Sequence, residues 1–224
     1  MKSKKQIYIL SLETSGATCG VALSDAGKIL SDHSIFITNQ HDRLLAEFTR
    51  RTLDDAGITV HDLAAVAVSA GPGSFTGLRI GAALAKGLCY QGKPKFIPVP
   101  TLSAIAYHSR DLAKITKSKS IIAAISSHKN MLYFQKFSLD MKSSSEIEMT
   151  SEKEFPGVIA KDALVCGNLN FQLSDVLHQK TDISLSPAII SDYAYKLYER
   201  SVFTSPETYK PLYVQEFVPR GFTK

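Results

Sequence analysis

The segment Ser69–Gly81, with the sequence SAGPGSFTGLRIG, joins an apolar, β-branched run to a run with helical spacing. Its glycines permit positive φ angles and let the backbone approach a neighbouring segment closely. Ser74 can cap the start of the following helix. The segment therefore predicts a tight strand-to-helix turn in an α/β fold. The glycines of the turn are Gly71, Gly73 and Gly77.

Two interpretations of this turn remain open. Backbone N–H groups at a helix N-terminus favour an anion, which suggests a phosphate cradle. The segment is not a P-loop, because Leu78 and Arg79 follow Gly77 where that motif has Lys and Ser or Thr, and GxGxxG is absent too. The other interpretation is a turn with no ligand.

A second loop of interest follows the first apolar run, Ile7–Leu12. Glu13, Thr14 and Ser15 come directly after that run. In actin-like nucleotide-binding proteins an acidic residue ends the first strand, and small hydroxyl residues next to it touch phosphate. An ordinary hairpin turn is the alternative.

The order of predicted elements in the first half is β-β-β-α-β-α-β, because runs of strand character alternate with runs of 3.6-residue spacing. This order resembles the ribonuclease-H-like unit that occurs twice in the actin superfamily. Asn39 or Asp42 could cap the first helix, and Gly57 and Gly92 could end the two helices. The predicted elements are Ile7–Leu12, Thr18–Ser24, Lys28–Thr38, helix Asp42–Ala56, Leu63–Ala70, helix Thr76–Gln91 and Lys95–Val99.

The second half shows a weaker version of the same order. We expect an α/β, actin-like (ribonuclease-H-like) fold with two tandem domains, residues 1–104 and a reduced copy at 105–224. The predicted elements of the second half are Ser120–Ser126, Met131–Leu139, a strand near Ile147, Ala163–Cys166 and the helix Pro187–Arg200.

The helix after the glycine turn is apolar almost all round, with only Arg79 and Lys86 as a thin polar stripe. Such a helix is normally buried on all sides. A sheet covers only one side, so the preceding helix with Leu45 and Phe48, a second domain or another chain should cover the rest. The apolar residues are Leu78, Ile80, Ala82, Ala83, Leu84, Ala85, Leu88 and Cys89.

Charge and cysteine content indicate which partners and which cellular compartment are compatible with this sequence. The net charge of +5 is compatible with a nucleic-acid partner. The positive residues are scattered, however, and no aromatic stacking motif lies among them. Three cysteines, widely separated, indicate a reducing compartment. No apolar run has the length of a membrane helix, so we expect a cytoplasmic protein without a membrane partner.

The histidines do not support a metal-dependent enzyme. None of the six is three or four residues from another, so no helix presents two imidazoles on one face. Neither HExxH nor GxSxG occurs in the sequence. We therefore expect no catalytic residues, no metal and no cofactor.

Several strings together resemble the TsaB family of bacterial tRNA threonylcarbamoyladenosine biosynthesis proteins. The resemblance extends over residues 7–105, and GPGSFTGLRIG is its most specific part. It is weaker beyond residue 105, where Ala123–Ile125 and Tyr209–Tyr213 carry it. The strings are Ile9–Ser15, Cys19–Leu23, Ser69–Gly81, Ala85–Leu88 and Val99–Ser103.

The resemblance implies a non-catalytic partner subunit of a transferase complex. Such a subunit binds and activates its paralogue TsaD, which transfers threonylcarbamoyl to the adenosine next to the anticodon. The ATPase TsaE joins the complex, tRNA is reached indirectly through it, and the isolated subunit can form a homodimer. By this resemblance the partner interface comprises Leu45, Phe48, Phe75, Leu78, Arg79, Ala82 and Ala85, and the vestigial nucleotide loops comprise Glu13, Thr14, Ser15, Gly71, Gly73 and Ser74.

The chain departs from the family pattern in its second half. The hairpin Ser126–Tyr133 keeps only the tyrosine of the usual Asp-Ala-Arg and Glu-Val-Tyr pattern, and Gln215 stands where an arginine is usual. Two alternatives remain open. One is a stand-alone actin-fold ATPase or phosphotransferase, for which Asp192 and the turn Cys166–Asn168 are candidate parts. The other is a plain RNA-binding module.

Overall fold

Two five-stranded mixed sheets form the frame of the computed structural model, which describes residues 6–90, 93–173 and 179–213. The first sheet has the order β3-β2-β1-β4-β5 and the second the order β10-β9-β6-β7-β8. The strands of the first are β1 Tyr8–Glu13, β2 Cys19–Asp25, β3 Lys28–Ile35, β4 Leu63–Ser69 and β5 Lys95–Val99. Those of the second are β6 Ser120–Ser126, β7 Met131–Ser138, β8 Glu148–Ser151, β9 Ala163–Asn168 and β10 Gln179–Asp182.

Four α-helices accompany the sheets within the described residues. Two short 3-10 turns, Val60–Asp62 and Phe155–Val158, complete the regular structure. None of the described helices is both long enough and apolar enough to span a membrane. The helices are α1 His41–Asp55, α2 Phe75–Cys89, α3 Thr101–Ile115 and α4 Pro187–Glu199.

Strand β1 is buried on both faces because helices cover both sides of the first sheet. Leu10 and Leu12 point into the cluster that contains Leu45 of α1 and Ala85 of α2. Ile9 points the other way, into the cluster formed with α4. A strand buried on both faces is apolar throughout instead of alternating, which explains the continuous apolar run in the sequence.

The second sheet repeats the first strand for strand. In each sheet the first strand pairs antiparallel with the second and parallel with the fourth, and the fourth pairs parallel with the fifth. Between β8 and β9 the turn Phe155–Val158 stands where α1 stands in the first half. The structure thus confirms an α/β, actin-like fold whose second copy is reduced.

Helices α3 and α4 each cross to the other half. Helix α3 follows β5 of the first sheet, yet Leu102 and Ile105 pack in the cluster of the second sheet. Helix α4 follows β10 of the second sheet, yet Ile190 and Ala194 pack against the first. The predicted division between residues 104 and 105 lies within α3, and that division remains a prediction.

The element bounds differ from the sequence prediction in a few places. Helix α3 and strand β10 were not anticipated from the sequence. Helix α1 begins after Gln40, which makes no side-chain capping bond, so Asn39 and Asp42 are not its cap. Gly57, with φ of +64°, follows the end of α1 as predicted. Gly92, the predicted end of α2, lies outside the described residues, and α2 ends at Cys89.

Candidate functional site

The two loops singled out in the sequence pack directly on each other. The Ser74 N–H donates to the Ser15 carbonyl oxygen at 2.7 Å. A Cβ built on Gly73 would collide with that same oxygen, and one built on Gly77 would collide with the carbonyl oxygen of Thr14. Glycine is therefore required at both positions, because the backbones touch. The fold thus brings the six predicted loop residues to one place.

This contact fills the space in front of the N-terminus of α2. The Ser74 side chain caps the helix by accepting from the Gly77 N–H at 3.2 Å. The carbonyl oxygens of Thr14 and Ser15 then lie where an anion would approach the helix. Since these partial charges are negative, the geometry favours a tight turn over a phosphate cradle.

Glu13 is enclosed beneath these loops at the end of β1. Its Oε1 accepts from both the backbone N–H and the hydroxyl of Ser15, each at 2.6 Å. Its Oε2 has no hydrogen-bond partner among the described residues. Burial raises the pKa of the Glu13 carboxyl to about 7, against the lowering effect of the Ser15 bonds. Glu13 therefore holds its own loop together rather than facing a cleft.

Other polar groups lie buried near Glu13, at the carboxyl ends of the strands. In open α/β sheets this is the edge where ligands bind. The Ser69 hydroxyl accepts from the Thr14 N–H at 3.1 Å. The hydroxyls of Ser11, Thr14 and Thr101 have no partner within the described ranges. These groups point into the protein, so they form a closed polar core.

Candidate parts of a metal or nucleotide site lie apart from this core. Asp192 is half-exposed on α4, with Oδ2 3.8 Å from Nδ1 of His108. The predicted turn Cys166–Asn168 is instead the end of strand β9, where Gly167 pairs with Ala124 of β6. Over residues 6–90, 93–173 and 179–213, no three His, Cys, Asp or Glu side chains come together as a metal site would require.

Four of the seven predicted interface residues lie inside this chain. They are at most 4% exposed, and three of them pack with Leu12 and Val68 of the first sheet. Their side chains face the interior of this chain, and their place in a partner interface stays a prediction. Sequence alone could not separate the sheet-facing side of an all-apolar helix from its outer side. The four are Leu45, Leu78, Ala82 and Ala85.

The outer face of α2 is the side that the described residues leave uncovered. Thr76, Ala83 and Gly87 are exposed there, and Ile80 and Leu84 are half-buried between them. Tyr90, which directly follows the helix, is 78% exposed. Because the exposed side chains are small, a second helix can approach this face closely. Phe48, also predicted at the interface, is half-buried on α1, with its ring near that of His33.

Phe75 and Arg79, at the start of α2, contact the C-terminal segment of this chain. The Arg79 guanidinium carbon lies 3.9 Å from the centre of the Phe75 ring. Its Nε donates to the Tyr213 hydroxyl at 3.2 Å, and the rings of Phe75 and Tyr213 are 4.7 Å apart. The Leu212 N–H also donates to the Ala70 carbonyl oxygen at 2.9 Å. Leu212 and Tyr213 thus lie at one end of the exposed face. In the sequence, the only indication of such a role was the resemblance of Tyr209–Tyr213 to the family. Gln215 lies outside the described residues.

Comparison with known proteins identifies relatives over most of the chain. The family model described as TsaD: tRNA N6-adenosine threonylcarbamoyltransferase matches residues 36–191. The tRNA threonylcarbamoyladenosine biosynthesis protein TsaB of Haemophilus influenzae is 30% identical over 130 residues, which are 58% of this chain and 53% of that protein. The chain spans about half the length of the curated relatives it matches.

Solved structures show the same fold. YeaZ from Pseudomonas aeruginosa matches with a TM-score of 0.74 and 22% identity, over 93% of this chain and all of that one. The activator of the 2-hydroxyisocaproyl-CoA dehydratase from Clostridium difficile, solved with bound ADPNP, matches with a TM-score of 0.50 and 9% identity, over 87% of this chain and 97% of that one. At these identities the likeness concerns the fold alone.

Proposed function

The chain belongs to the TsaD family and, within it, to the TsaB proteins, and we propose that it is a non-catalytic partner subunit of a tRNA threonylcarbamoyladenosine transferase complex. In this role it binds TsaD and activates it for threonylcarbamoylation of the adenosine next to the anticodon. The observation that carries the proposal is the uncovered outer face of α2. This helix directly follows one of the two loops that pack on each other.

The closed loops support the non-catalytic part of the proposal. A nucleotide phosphate at the start of α2 would have to displace Ser15 from its hydrogen bond with Ser74. Glu13 would have to break two hydrogen bonds with Ser15 to reach a ligand. The alternative of a stand-alone ATPase or phosphotransferase therefore requires the opening of a packed core, and no contact in the described residues favours it.

The outer face of α2 supports the partner part. Thr76, Ile80, Ala83 and Gly87 are spaced four, three and four residues apart, so they form one stripe along the helix. Helices with small residues at the contact pack at the short end of the 8–10 Å range of interaxial distances. A partner with the same actin-like fold can present its equivalent helix to this stripe. The same stripe would mediate a homodimer of the isolated chain at high concentration.

Activation follows if the subunit prefers the competent state of TsaD. A ligand that binds one state of a protein better shifts the population towards that state. TsaE would join the pair, and the complex as a whole would bind tRNA. These partners are expected from the relatives' role in threonylcarbamoyladenosine synthesis.

Co-purification with the TsaD of the same organism tests the proposal. We expect a stable complex, and we expect modification of unmodified tRNA to require both chains. Catalysis by TsaD at full rate without this chain, together with no association between the two, would contradict the proposal. Titration of this chain with ATP and Mg²⁺ then tests the alternative, which saturable binding would support.

A further inference from the structure

We propose that the cavity between α3 and α4 binds a phosphate group of RNA, an inference that rests on the proposed role of the chain in a tRNA-modifying complex. The cavity has a volume of about 90 Å³. Side chains from both helices line it, and the loop after β7 closes one side with Asp140. The lining residues that carry the proposal are Tyr107, Arg110, Tyr193, Lys196 and Arg200.

The two helices carry the same pattern of side chains beside this cavity, although Lys114 is not among the residues that line it. On α3 a tyrosine is followed at three and seven residues by Arg110 and Lys114, and on α4 a tyrosine is followed at the same spacing by Lys196 and Arg200. Residues three and seven positions apart share one face of a helix. Since α3 and α4 follow equivalent strands of the two sheets, the cavity lies where the two halves of the repeat meet. Each helix therefore presents one aromatic ring followed by cations.

The aromatic rings form the floor of the arrangement. The ring centres of Tyr107 and Tyr193 are 5.1 Å apart. The Arg110 guanidinium carbon lies 4.4 Å from the centre of the Tyr107 ring. A guanidinium held over an aromatic ring keeps its orientation. This is a suitable geometry for a phosphate oxygen. The Arg110 Nε donates to Oδ1 of Asp111 at 3.4 Å, so a phosphate oxygen would compete with that carboxylate for the Arg110 donors.

Charge in the cavity wall is predominantly positive. Three cations line it against one carboxylate, that of Asp140, which is itself 3.5 Å from the Lys142 ammonium. Two of the cations have acidic neighbours on their own helices, since Lys196 Nζ lies 3.1 Å from Glu199 Oε2 and Arg110 Nε lies 3.4 Å from Asp111 Oδ1. Arg200 makes no ion pair within the described residues. Cations near the last turn of a helix also complement its dipole, but Arg110 lies more than one turn before the end of α3. The dipole of α3 therefore does not account for its position.

The size of the cavity selects among anions. Sites for whole small-molecule ligands typically have volumes of about 300–1,000 Å³. A cavity of 90 Å³ is well below that range and fits a single phosphate group. The tyrosine rings in its lining offer stacking to a neighbouring base, as in proteins that bind single-stranded nucleic acid. A phosphodiester within a chain uses both features, whereas free phosphate uses only the charge.

Fluorescence anisotropy with an unmodified tRNA transcript tests the inference on the full chain. The variant is Lys196→Gln/Arg200→Gln, and its matched control is Lys129→Gln/Lys153→Gln, two exposed lysines away from the cavity. We expect the cavity variant to bind about tenfold more weakly at 50 mM salt, with a slope of log K against log salt smaller by about 0.7, the value for one phosphate contact. The control should stay within about twofold of wild type, since salt-dependent affinity tracks phosphate contacts.

Equal binding by the cavity variant and its control, with unchanged melting temperatures, would overturn the inference. So would no measurable binding of the transcript by the wild-type chain at 50 mM salt. Inorganic phosphate is the second probe. If it raises the melting temperature of the wild-type chain while tRNA affinity is insensitive to both substitutions, the site is one for a small anion and the RNA assignment is wrong.

Pairing with TsaD separates this inference from the proposed function. We expect the cavity variant to co-purify with TsaD as well as the wild-type chain does, because α3 and α4 lie away from the outer face of α2. Loss of RNA affinity with intact pairing supports the inference. Failure of the wild-type chain to pair with TsaD would contradict the proposed function, while a tenfold effect of the cavity variant on RNA binding would still support the site.

Discussion

The α-carbon of Gly77, in the first turn of α2, rests against the carbonyl oxygen of Thr14 at the end of β1. Any side chain at position 77 would overlap that oxygen. The only ways to relieve the overlap are to move the helix or to move the strand end, and both carry the loop contacts of Ser15 with them.

Gly77→Ala is therefore expected to destabilise the protein by about 1–3 kcal/mol or more, the usual cost of overpacking a tight contact. The control is Gly87→Ala on the same helix, where an added methyl meets nothing within 4 Å. That change should be neutral or stabilise by up to about 1 kcal/mol, because alanine favours helix more than glycine does. Urea unfolding of both variants measures the difference, and equal stabilities would disprove the close contact.

Ala83→Glu should abolish pairing with TsaD while the chain remains folded, since Ala83 is exposed at the centre of the α2 stripe. Leu78→Glu is not a clean test, because Leu78 is only 1% exposed and a buried unpaired carboxylate is costly enough to unfold the chain. Co-purification measures pairing, and circular dichroism checks the fold. Ala160→Glu, the same change at an exposed alanine of the second half, should pair normally. Normal pairing by Ala83→Glu would remove this face from the interface.

Glu13 should make stability depend on pH between about 4.5 and 7. In this window the folded chain keeps a proton on Glu13, whose pKa is raised to about 7, while the unfolded chain has lost it near the ordinary value of 4.5. The free energy of unfolding therefore falls as pH rises through the window and levels off above it. The full decrease is about 3 kcal/mol, because a tenfold change in proton affinity equals about 1.4 kcal/mol.

Glu13→Gln keeps an oxygen for the Ser15 bonds and removes the titration. Urea unfolding at pH 5 and at pH 8 should show that the stability of the variant relative to wild type rises by about 2.5 kcal/mol between the two values. A constant difference across that range would mean that the carboxyl is solvated in the folded state.

Tyr209→Phe should stabilise the chain. The Tyr209 hydroxyl is buried without a hydrogen-bond partner in the part of the chain that the structure describes, while its ring packs on that of Phe96 at 4.8 Å. Removing an unsatisfied buried hydroxyl should add about 1 kcal/mol to the free energy of unfolding. Tyr213→Phe is the comparison, since it deletes a hydroxyl that accepts from Arg79. Of the two substitutions, only Tyr209→Phe should raise the melting temperature measured by thermal unfolding.

All three thiols should resist a thiol reagent in the native chain at pH 8. Burial raises the pKa of Cys19 to about 11 and those of Cys89 and Cys166 to about 12, so few thiolates are present. Labelling with a chromogenic disulfide should be slow in buffer and rapid in denaturant. Fast reaction of one thiol in buffer would show that its segment opens in the native state.

Local periodicity was sufficient to predict most of the strands and three of the four helices that the structure describes. Lys95–Val99 and Ser120–Ser126 have the predicted bounds, because buried apolar runs bounded by turns carry a strong local signal. Helix α3 was missed although Leu102, Ile105 and Ala113 repeat at helical spacing, because its first residue follows directly on a strand-ending proline. Strand β10 is short and polar and forms only through its pairing with β9.

The candidate site shows which features could not be predicted from the sequence. The residue types of the two loops were predicted, but their mutual contact was not, because it joins Ser15 to Ser74 across the sheet. Likewise, composition identified an apolar α2 but not which side of it faces the sheet. Leu78 and Ala83 are both apolar, and only the packing of the whole domain decides that one is core and the other is surface.

The crossing of α3 and α4 sets a limit on how far such a repeat can erode. The second half can lose the helices over its own outer face at little cost to the first half, and it has lost the counterpart of α1. It cannot lose α4, because Ile190 and Ala194 are the cover over Ile9 and Val99 of the first sheet. Deletions that shorten this chain would therefore remove residues between β6 and β10 before they could remove α4. A gene fragment that ends within α3 would encode a first sheet with one apolar face exposed to water.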